Sequence, residues 1–220
     1  MPFKSEVQNY VINYYEQHLP NDKWLDDNYD FIENIDLRER IKIEFKNARI
    51  VYKLFEGLQA KGQLLLAEVR LQILMFASIY EAIIHYLLFD VYYDATQVKE
   101  LQQHTIPKRV SIPSNKKLTL KNALSHDGKD IIPFYYDKCK REITSIRFDE
   151  KCRVAMELGL IDMELMGELT KIYEIRNGLH IHAEMKKEIE YEIEQSRLAY
   201  WRMEKFVKGV KEYMSRTGTY

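Results

Sequence analysis

The most apolar part of the chain reads LLLAEVRLQILMFASIYEAIIHYLLFDVYY, from Leu64 to Tyr93. A membrane-spanning helix needs roughly 20 mostly apolar residues with few or no charges. This stretch is interrupted by charged side chains and a histidine: Glu68, Arg70, Glu81, His85 and Asp90. Apolar residues on most sides of a helix are typical of the central helix of a bundle. We therefore predict a helix buried in protein, in which His85 is a core histidine with a satisfied ring.

The residues before this stretch also follow a helical period. A short helix is predicted from about Lys4 to Leu19, where Pro20-Asn21-Asp22 ends it. A second helix is predicted to start after Asp36, whose side chain can cap it with Glu39 three residues later. The apolar positions of this second helix alternate in spacing between four and three residues: Ile41, Phe45, Ala48, Tyr52 and Phe55.

Helical periodicity resumes at Asp149 and continues to the end of the chain. The sequence Gly159-Leu160-Ile161-Asp162 predicts a helix stop followed by an N-cap, and Asn177-Gly178 interrupts the next helix. The last helix is predicted to begin near Ala183. Its apolar seam repeats like a heptad: Ile189, Ile193, Ser196, Tyr200, Met203, Val207, Val210 and Met214. Such a seam fits either a helix packed inside its own bundle or a dimer interface.

These patterns predict an all-α fold, an antiparallel helical bundle. Hydrophobic residues make up 46% of the 220 residues, enough for a sizeable core, and only 8 Gly and 5 Pro occur. Because both residues break helices, their scarcity favours long helices over a turn-rich β architecture. We predict an N-terminal helical extension over residues 1–61 and a helical domain over residues 62–220, with an insert at residues 105–153.

The insert at residues 105–153 is basic. It holds twelve Lys or Arg and six Asp or Glu, a net charge of +6 in a chain whose net charge is −1. Its prolines and glycine predict that any helices here are short. One interpretation is a solvated loop surface. The other is a nucleic-acid-binding patch, in which Phe134, Tyr135 and Tyr136 stack on bases. The cations of this patch would include Lys108, Arg109, Lys116, Lys117, Lys138, Lys140 and Arg141.

The cysteines, the N-terminal residues and the motifs that the sequence lacks indicate the cellular compartment and the kind of chemistry to expect. The two cysteines, Cys139 and Cys152, form no paired motif and indicate a reducing compartment. The N-terminus lacks the apolar core of a signal peptide, so we expect a cytoplasmic protein. The chain has no HExxH, P-loop, GxGxxG or zinc-ligand spacing. We therefore expect no metal and no cofactor.

The stretch Ile175-Arg176-Asn177-Gly178-Leu179-His180-Ile181-His182 is the candidate for chemistry. Cleavage of RNA without a metal needs groups that move protons at the 2′-hydroxyl and the leaving 5′-oxygen, which a histidine can do near neutral pH. It also needs a cation on the phosphorane, and an arginine presents a planar fork to phosphate. On a continuous helix His180 shares a face with Arg176, whereas His182 reaches it only if Asn177-Gly178 breaks the helix. The structural alternatives are a helix C-terminus at Arg176-Asn177 and solvated loop histidines.

The closing segments, from Leu158-Gly159-Leu160-Ile161-Asp162 through Ile175-Arg176-Asn177 to His182, resemble those of a HEPN domain. That family carries an Arg, usually followed by Asn, and a His after four to six further residues, which His182 fits and His180 does not. The resemblance covers residues from about 62 to 215. It implies a metal-independent endoribonuclease, often a toxin or phage-defence effector, that forms homodimers. It also implies that Arg176 binds the scissile phosphate, His182 acts as acid and base, and Asn177 orients either.

Two other functions remain open on the sequence alone. The chain could be a catalytically silent HEPN-like module that binds nucleic acid or a protein partner through the basic insert. It could also be an interaction protein whose last helix is the dimer seam. An antitoxin or another regulatory protein is a further expected partner if the toxin interpretation holds.

Overall fold

The computed structural model of the chain describes residues 2–127, 129–187 and 190–220. Its α-helices, in chain order, are α1 (Ser5–Glu16), α2 (Asp22–Tyr29), α3 (Ile35–Gly57), α4 (Gln63–Tyr86), α5 (Thr96–Leu101), α6 (Ser114–Ala123), α7 (Phe148–Leu158), α8 (Met163–Asn177), α9 (Ile181–Lys187) and α10 (Ile193–Thr217). Two small antiparallel sheets lie between α5 and α7. In the first, β1 (Gln103–Arg109) pairs with β4 (Phe134–Lys140), and in the second, β2 (Ser125–His126) pairs with β3 (Lys129–Asp130). The predicted all-α, helical-bundle class is confirmed.

Helix α4 is the centre of the bundle. It continues as a π-helical turn over Leu87–Val91, and α3, α7, α8 and α10 all pack against it. The segment Gln63–Val91 is long and apolar enough to cross a membrane by length and composition, but 61% of its most apolar window is buried inside the protein. The predicted buried helix is confirmed, because neighbouring helices cover most of its apolar surface, while Leu71 and Leu74 stay 39% and 41% exposed.

The helix boundaries follow local capping chemistry. Asn34 caps α3 by accepting a hydrogen bond from the Leu37 amide at 3.0 Å, so the helix begins two residues earlier than a cap at Asp36 would place it. Helix α2, capped by Asn21, was not predicted from the sequence. The predicted stop and restart are confirmed: Gly159 ends α7 in the left-handed conformation, and Asp162 caps α8 by accepting from the Leu165 amide at 2.7 Å.

The last predicted helix is two helices. Helix α9 is separate, and α10 begins at Ile193, where Glu192 and Gln195 form a capping box. The predicted start near Ala183 was therefore wrong for the long helix, and Ile189 lies outside the described residues. From Ser196 to Met214 the seam residues are buried or packed against the core of the same chain. The seam is thus used inside the protomer.

A single hydrophobic cluster runs through the bundle. It joins Leu25 and Phe45, both before residue 62, to Tyr80 of α4 and Phe206 of α10. The Tyr80 hydroxyl also donates to the Ala199 carbonyl at 2.7 Å, which ties α4 to α10. The predicted boundary between residues 1–61 and 62–220 therefore falls within one core.

The basic insert contains β-structure that the sequence did not predict. Strands β1 and β4 pair over seven residues each, from Gln103 opposite Lys140 to Arg109 opposite Phe134. Helix α6 is the short helix that the prolines of the insert allowed. Pro107 is tolerated in β1 because a two-stranded sheet leaves one edge of each strand unpaired.

Two glycines give a matched test of the packing. Gly159 has a φ of +87°, and a Cβ there would lie 3.3 Å from the ring of Tyr213. Gly167 lies inside α8 with open space around it. We expect Gly159→Ala to lower the free energy of unfolding by about 1–2 kcal/mol. We expect Gly167→Ala to raise it by about 0.5–1 kcal/mol.

Urea denaturation followed by circular dichroism measures both changes. Equal effects of the two substitutions would contradict the assignment of Gly159 as a left-handed helix stop.

Candidate functional site

Arg176 lies in the last turn of α8, directly before the break that the sequence predicted. The helix ends at Asn177, where the Gly178 amide still donates to the Glu174 carbonyl at 3.0 Å. The chain then turns, and the Ala183 amide donates to the His180 carbonyl at 2.8 Å as α9 starts. The junction therefore places Arg176 at the end of α8, His180 in the turn that follows and His182 in α9.

The Arg176 guanidinium has two contacts within α8. Its central carbon lies 5.1 Å from the centroid of the Tyr173 ring, a cation–π contact. Its Nη1 donates to Oδ1 of Asn177 at 2.9 Å. The side chain is half-buried. Because the amide oxygen occupies one of five N–H donors, most of the fork is still able to bind a phosphate.

Tyr173, which supports the guanidinium, is itself held in place. Its ring stacks on Phe148, the first residue of α7, with centroids 4.4 Å apart and planes 29° apart. Phe148 is 2% exposed, so it belongs to the core. The Tyr173 hydroxyl donates to Oε1 of Glu81 on α4 at 3.3 Å. Three helices therefore support Arg176, because Tyr173 of α8 is held by Phe148 of α7 and Glu81 of α4.

Both candidate histidines are accessible to solvent. His180 and His182 are exposed, and among the described contacts neither imidazole bonds to or stacks on Arg176. Solvent therefore reaches both imidazoles, while the Arg176 side chain is only partly accessible. The choice between His180 and His182 remains a prediction.

A basic pair, the buried Lys151 and the half-buried His85, lies near Glu81. Lys151 of α7 is only 2% exposed, and its Nζ lies 3.3 Å from Nδ1 of His85 on α4. Burial lowers the pKa of the Lys151 ammonium, while Glu81 opposes that shift. Burial and the neighbouring Lys151 lower the pKa of His85. His85 therefore has a ring partner, as predicted, but nothing in the sequence indicated that the partner would be a lysine 66 residues away.

The basic residues predicted to bind nucleic acid fall into separate groups. Lys108 is paired with Asp137, and their hydrogen bond raises the pKa of the lysine and lowers that of the aspartate. Arg141 holds Glu150 through two hydrogen bonds of 2.9 and 2.7 Å. These two side chains are engaged within the protein.

The other predicted cations are exposed. Lys116 and Lys117 are exposed on α6, and Arg109, Lys138 and Lys140 are exposed on the β1–β4 pair. The structure thus brings four of the seven predicted cations onto one pair of strands, and three of these four, Arg109, Lys138 and Lys140, are exposed.

Comparison with known proteins adds no family assignment. The chain matches no protein-family model, no curated protein and no solved structure. Within residues 2–127, 129–187 and 190–220, His, Cys, Asp and Glu side chains form no group of three or more that could hold a metal ion. The candidate site is therefore defined by the geometry around Arg176 alone.

The His85–Lys151 pair makes stability depend on pH. The pKa of His85 is lower in the folded chain than its ordinary value of 6.5. As pH falls below about 6.5, the unfolded chain takes up this proton first, so the free energy of unfolding decreases, by about 1.4 kcal/mol per unit of pKa shift at most. We expect His85→Gln to remove this contribution.

The measurement is urea denaturation of wild type and His85→Gln at several pH values between about 7 and 5, the range in which histidine titrates. The stability of wild type relative to the variant should fall as pH falls. Lys151→Met, which removes the neighbouring charge, should reduce that fall. Parallel curves for wild type and His85→Gln would show that burial does not shift this group.

Proposed function

We propose that this chain is a metal-independent endoribonuclease of the HEPN type. The observation that carries the proposal is the half-buried Arg176 side chain, whose guanidinium packs on Tyr173 at the end of α8, with His182 exposed in the first turn of the next helix. A fixed cation and a titratable imidazole at one helix junction are the groups that metal-free phosphodiester cleavage needs.

The proposed reaction is attack by the 2′-oxygen of RNA on the adjacent phosphorus. An unprotonated imidazole takes the 2′-hydroxyl proton, and the new O2′–P bond forms as the P–O5′ bond breaks. A protonated imidazole gives its proton to the departing 5′-oxygen, so the products are a 2′,3′-cyclic phosphate and a 5′-hydroxyl. Arg176 neutralises the charge that develops on the phosphorane oxygens.

A homodimer supplies the two imidazoles that this scheme uses. An isologous interface places the same residues from both protomers on either side of a two-fold axis. Two His182 side chains would then act as base and acid in one cleft, and two Arg176 side chains would clamp the phosphate. Light scattering that gives the mass of a monomer under assay conditions would remove this part of the proposal.

Tyr173 and Asn177 act in this scheme as positioning residues. The ring of Tyr173 supports the guanidinium at 5.1 Å, and Oδ1 of Asn177 accepts from it at 2.9 Å. Both contacts restrict a side chain that otherwise has many rotamers, which prepares it for the transition state. We propose a cytoplasmic role as a toxin or phage-defence effector, with an antitoxin or other regulatory protein as partner.

The test is cleavage of a 3′-labelled RNA in the presence of EDTA. We expect Arg176→Ala to reduce the rate about 10²- to 10³-fold, as loss of one transition-state donor does. We expect His182→Ala to reduce it about 10²- to 10⁴-fold, as loss of a general acid–base does. His180→Ala is the matched control, because it removes an exposed imidazole two residues away and should leave the rate within a few-fold of wild type.

Two outcomes are decisive. Equal activity in wild type, Arg176→Ala and His182→Ala would show that any cleavage comes from elsewhere. A loss in His180→Ala with full activity in His182→Ala would keep the reaction but exchange the histidines.

The second candidate function is binding of nucleic acid without chemistry. It is favoured by the exposed cations and aromatic rings on β1 and β4, which do not depend on Arg176 or on either histidine. Binding to a phosphate backbone weakens steeply with salt because counterions are released. RNA binding with that dependence, and no cleavage by wild type, would favour this function.

A further inference from the structure

The β1–β4 ribbon, residues 103–109 and 134–140, sorts its side chains by face. Opposed residues in an antiparallel pair point to the same face, and neighbours along a strand point to opposite faces. The register therefore places four cross-strand pairs on one face, which we call the open face. They are Gln103 with Lys140, Thr105 with Lys138, Pro107 with Tyr136, and Arg109 with Phe134.

The open face is exposed throughout, and its charge is uniform. All eight of its residues are exposed, three of them are cations, and no carboxylate is among them. The opposite face carries Ile106 and the Lys108–Asp137 ion pair, all half-buried. The charge of the ribbon is thus neutralised on one face and left uncompensated on the other.

The open face divides into an aromatic end and a lysine end. Phe134 and Tyr136 are 55% and 69% exposed, and their rings meet edge to face with centroids 5.6 Å apart. At the other end, Lys138 and Lys140 lie about 7 Å apart along the strand, two residues at about 3.4 Å each. They line a groove of about 380 Å³ together with Lys99 of α5.

This combination fits unpaired nucleotides better than a duplex. Exposed aromatic rings stack on bases that are not already stacked on a partner, while lysines bind the backbone without regard to sequence. In duplex RNA the base faces are inside the helix, so the two aromatic rings would have nothing to stack on.

A chain of contacts links the lysine end to the candidate catalytic arginine. Arg141, the residue after β4, holds Glu150 in the first turn of α7. Phe148 in the same turn stacks on Tyr173, and Tyr173 carries Arg176. The ribbon is therefore fixed to the same helix end that fixes the candidate site.

From this geometry we infer that the open face of the β1–β4 ribbon binds single-stranded RNA, with Phe134 and Tyr136 stacking on bases and Lys138 and Lys140 holding phosphates. The inference rests on the proposed ribonuclease function and names the form of its substrate. It separates the predicted cations of the open face from Lys108, which pairs with Asp137 across the ribbon, and from Arg141, which anchors the ribbon to α7. Lys116 and Lys117 lie on α6 and belong to neither group.

The test measures binding of a fluorescein-labelled 2′-O-methyl oligouridylate of about 12 nucleotides, within the usual range of single-strand sites. The methyl groups block cleavage, so wild-type protein can be used. We expect Tyr136→Ala to weaken binding about 5- to 150-fold, the usual loss for one stacked base. We expect Lys138→Gln and Lys140→Gln each to reduce the slope of log affinity against log salt by about 0.7.

The chain offers close controls for both kinds of change. Tyr135→Ala removes the same ring one position along the strand, on the opposite face, and should leave binding within about twofold of wild type. Lys208→Gln makes the same charge change on α10 and should leave the salt slope unchanged. A duplex of the same length should bind more weakly and respond equally to Tyr135→Ala and Tyr136→Ala.

The possible results test the open face as an RNA site separately from the proposed ribonuclease function. Equal losses in Tyr135→Ala and Tyr136→Ala, or tighter binding of the duplex, would overturn the open face as a single-strand site. If Tyr136→Ala instead lowers the mass measured by light scattering and leaves RNA binding intact, the face is a self-association surface and the inference fails. If Tyr136→Ala loses RNA binding and the wild-type protein never cleaves RNA, the open face is supported as an RNA site and the proposed ribonuclease function is contradicted.

Discussion

The bundle depends on the burial of α4, a helix that is apolar on most sides and faces water along one strip that includes Leu64, Leu71 and Leu74. Val69, Phe76, Ile83 and Ile84 are at most 1% exposed, and burying a side chain of this size contributes about 1.5–3 kcal/mol. A helix that is apolar on most sides must be covered on most sides, which is why α3, α7, α8 and α10 surround it. The polar side chains that α4 does carry, among them Glu81 and His85, then have to find partners on those covering helices. The candidate site arises at that boundary between core and surface.

The first turn of α7 connects the fold to both proposed functions. Phe148 enters the core and stacks on Tyr173, which positions Arg176. Glu150, two residues later, accepts both hydrogen bonds from Arg141 and so anchors the ribbon. A two-stranded ribbon is at best marginally stable alone, so this anchor and the Arg141 amide bond to the Gln102 carbonyl at 2.7 Å determine its orientation. A change in this turn should affect the proposed RNA binding and the proposed catalysis together, since the same turn supports both surfaces.

The elements that could be predicted from the sequence are those determined by residues close together in the chain. The apolar stretch predicted α4. Gly159 and Asp162 predicted the break between α7 and α8, because a left-handed stop and an N-cap act within a few residues. The position of Arg176 in the last turn of its helix followed in the same way from Asn177-Gly178.

What sequence reasoning missed depends on contacts between distant residues. The ribbon pairs strands separated by a 24-residue connection, and the proline in β1 argued against a strand there. Yet Thr105 and Ile106 in β1 and Phe134-Tyr135-Tyr136 in β4 are β-favouring residues that could have indicated the two strands. The Lys151–His85 pair and the Phe148–Tyr173 stack join different helices, so no local sequence pattern predicts either contact. The charge count likewise could not show that Lys108 and Arg141 are paired with carboxylates while Lys138 and Lys140 are exposed.

The distribution of charge along the chain determines which surface could hold the proposed RNA substrate. Residues 105–153 carry +6 in a chain of net charge −1, so the rest of the chain carries −7 and repels a polyanion on average. Arg176 contributes a single positive charge to this net-negative remainder, and the attraction of one cation at a surface is screened beyond about 8 Å at physiological salt. The proposed cleavage at Arg176 would therefore need a second surface that holds the RNA. The open face is suited to that role, since Phe134 and Tyr136 lie outside the core and leave their rings to solvent.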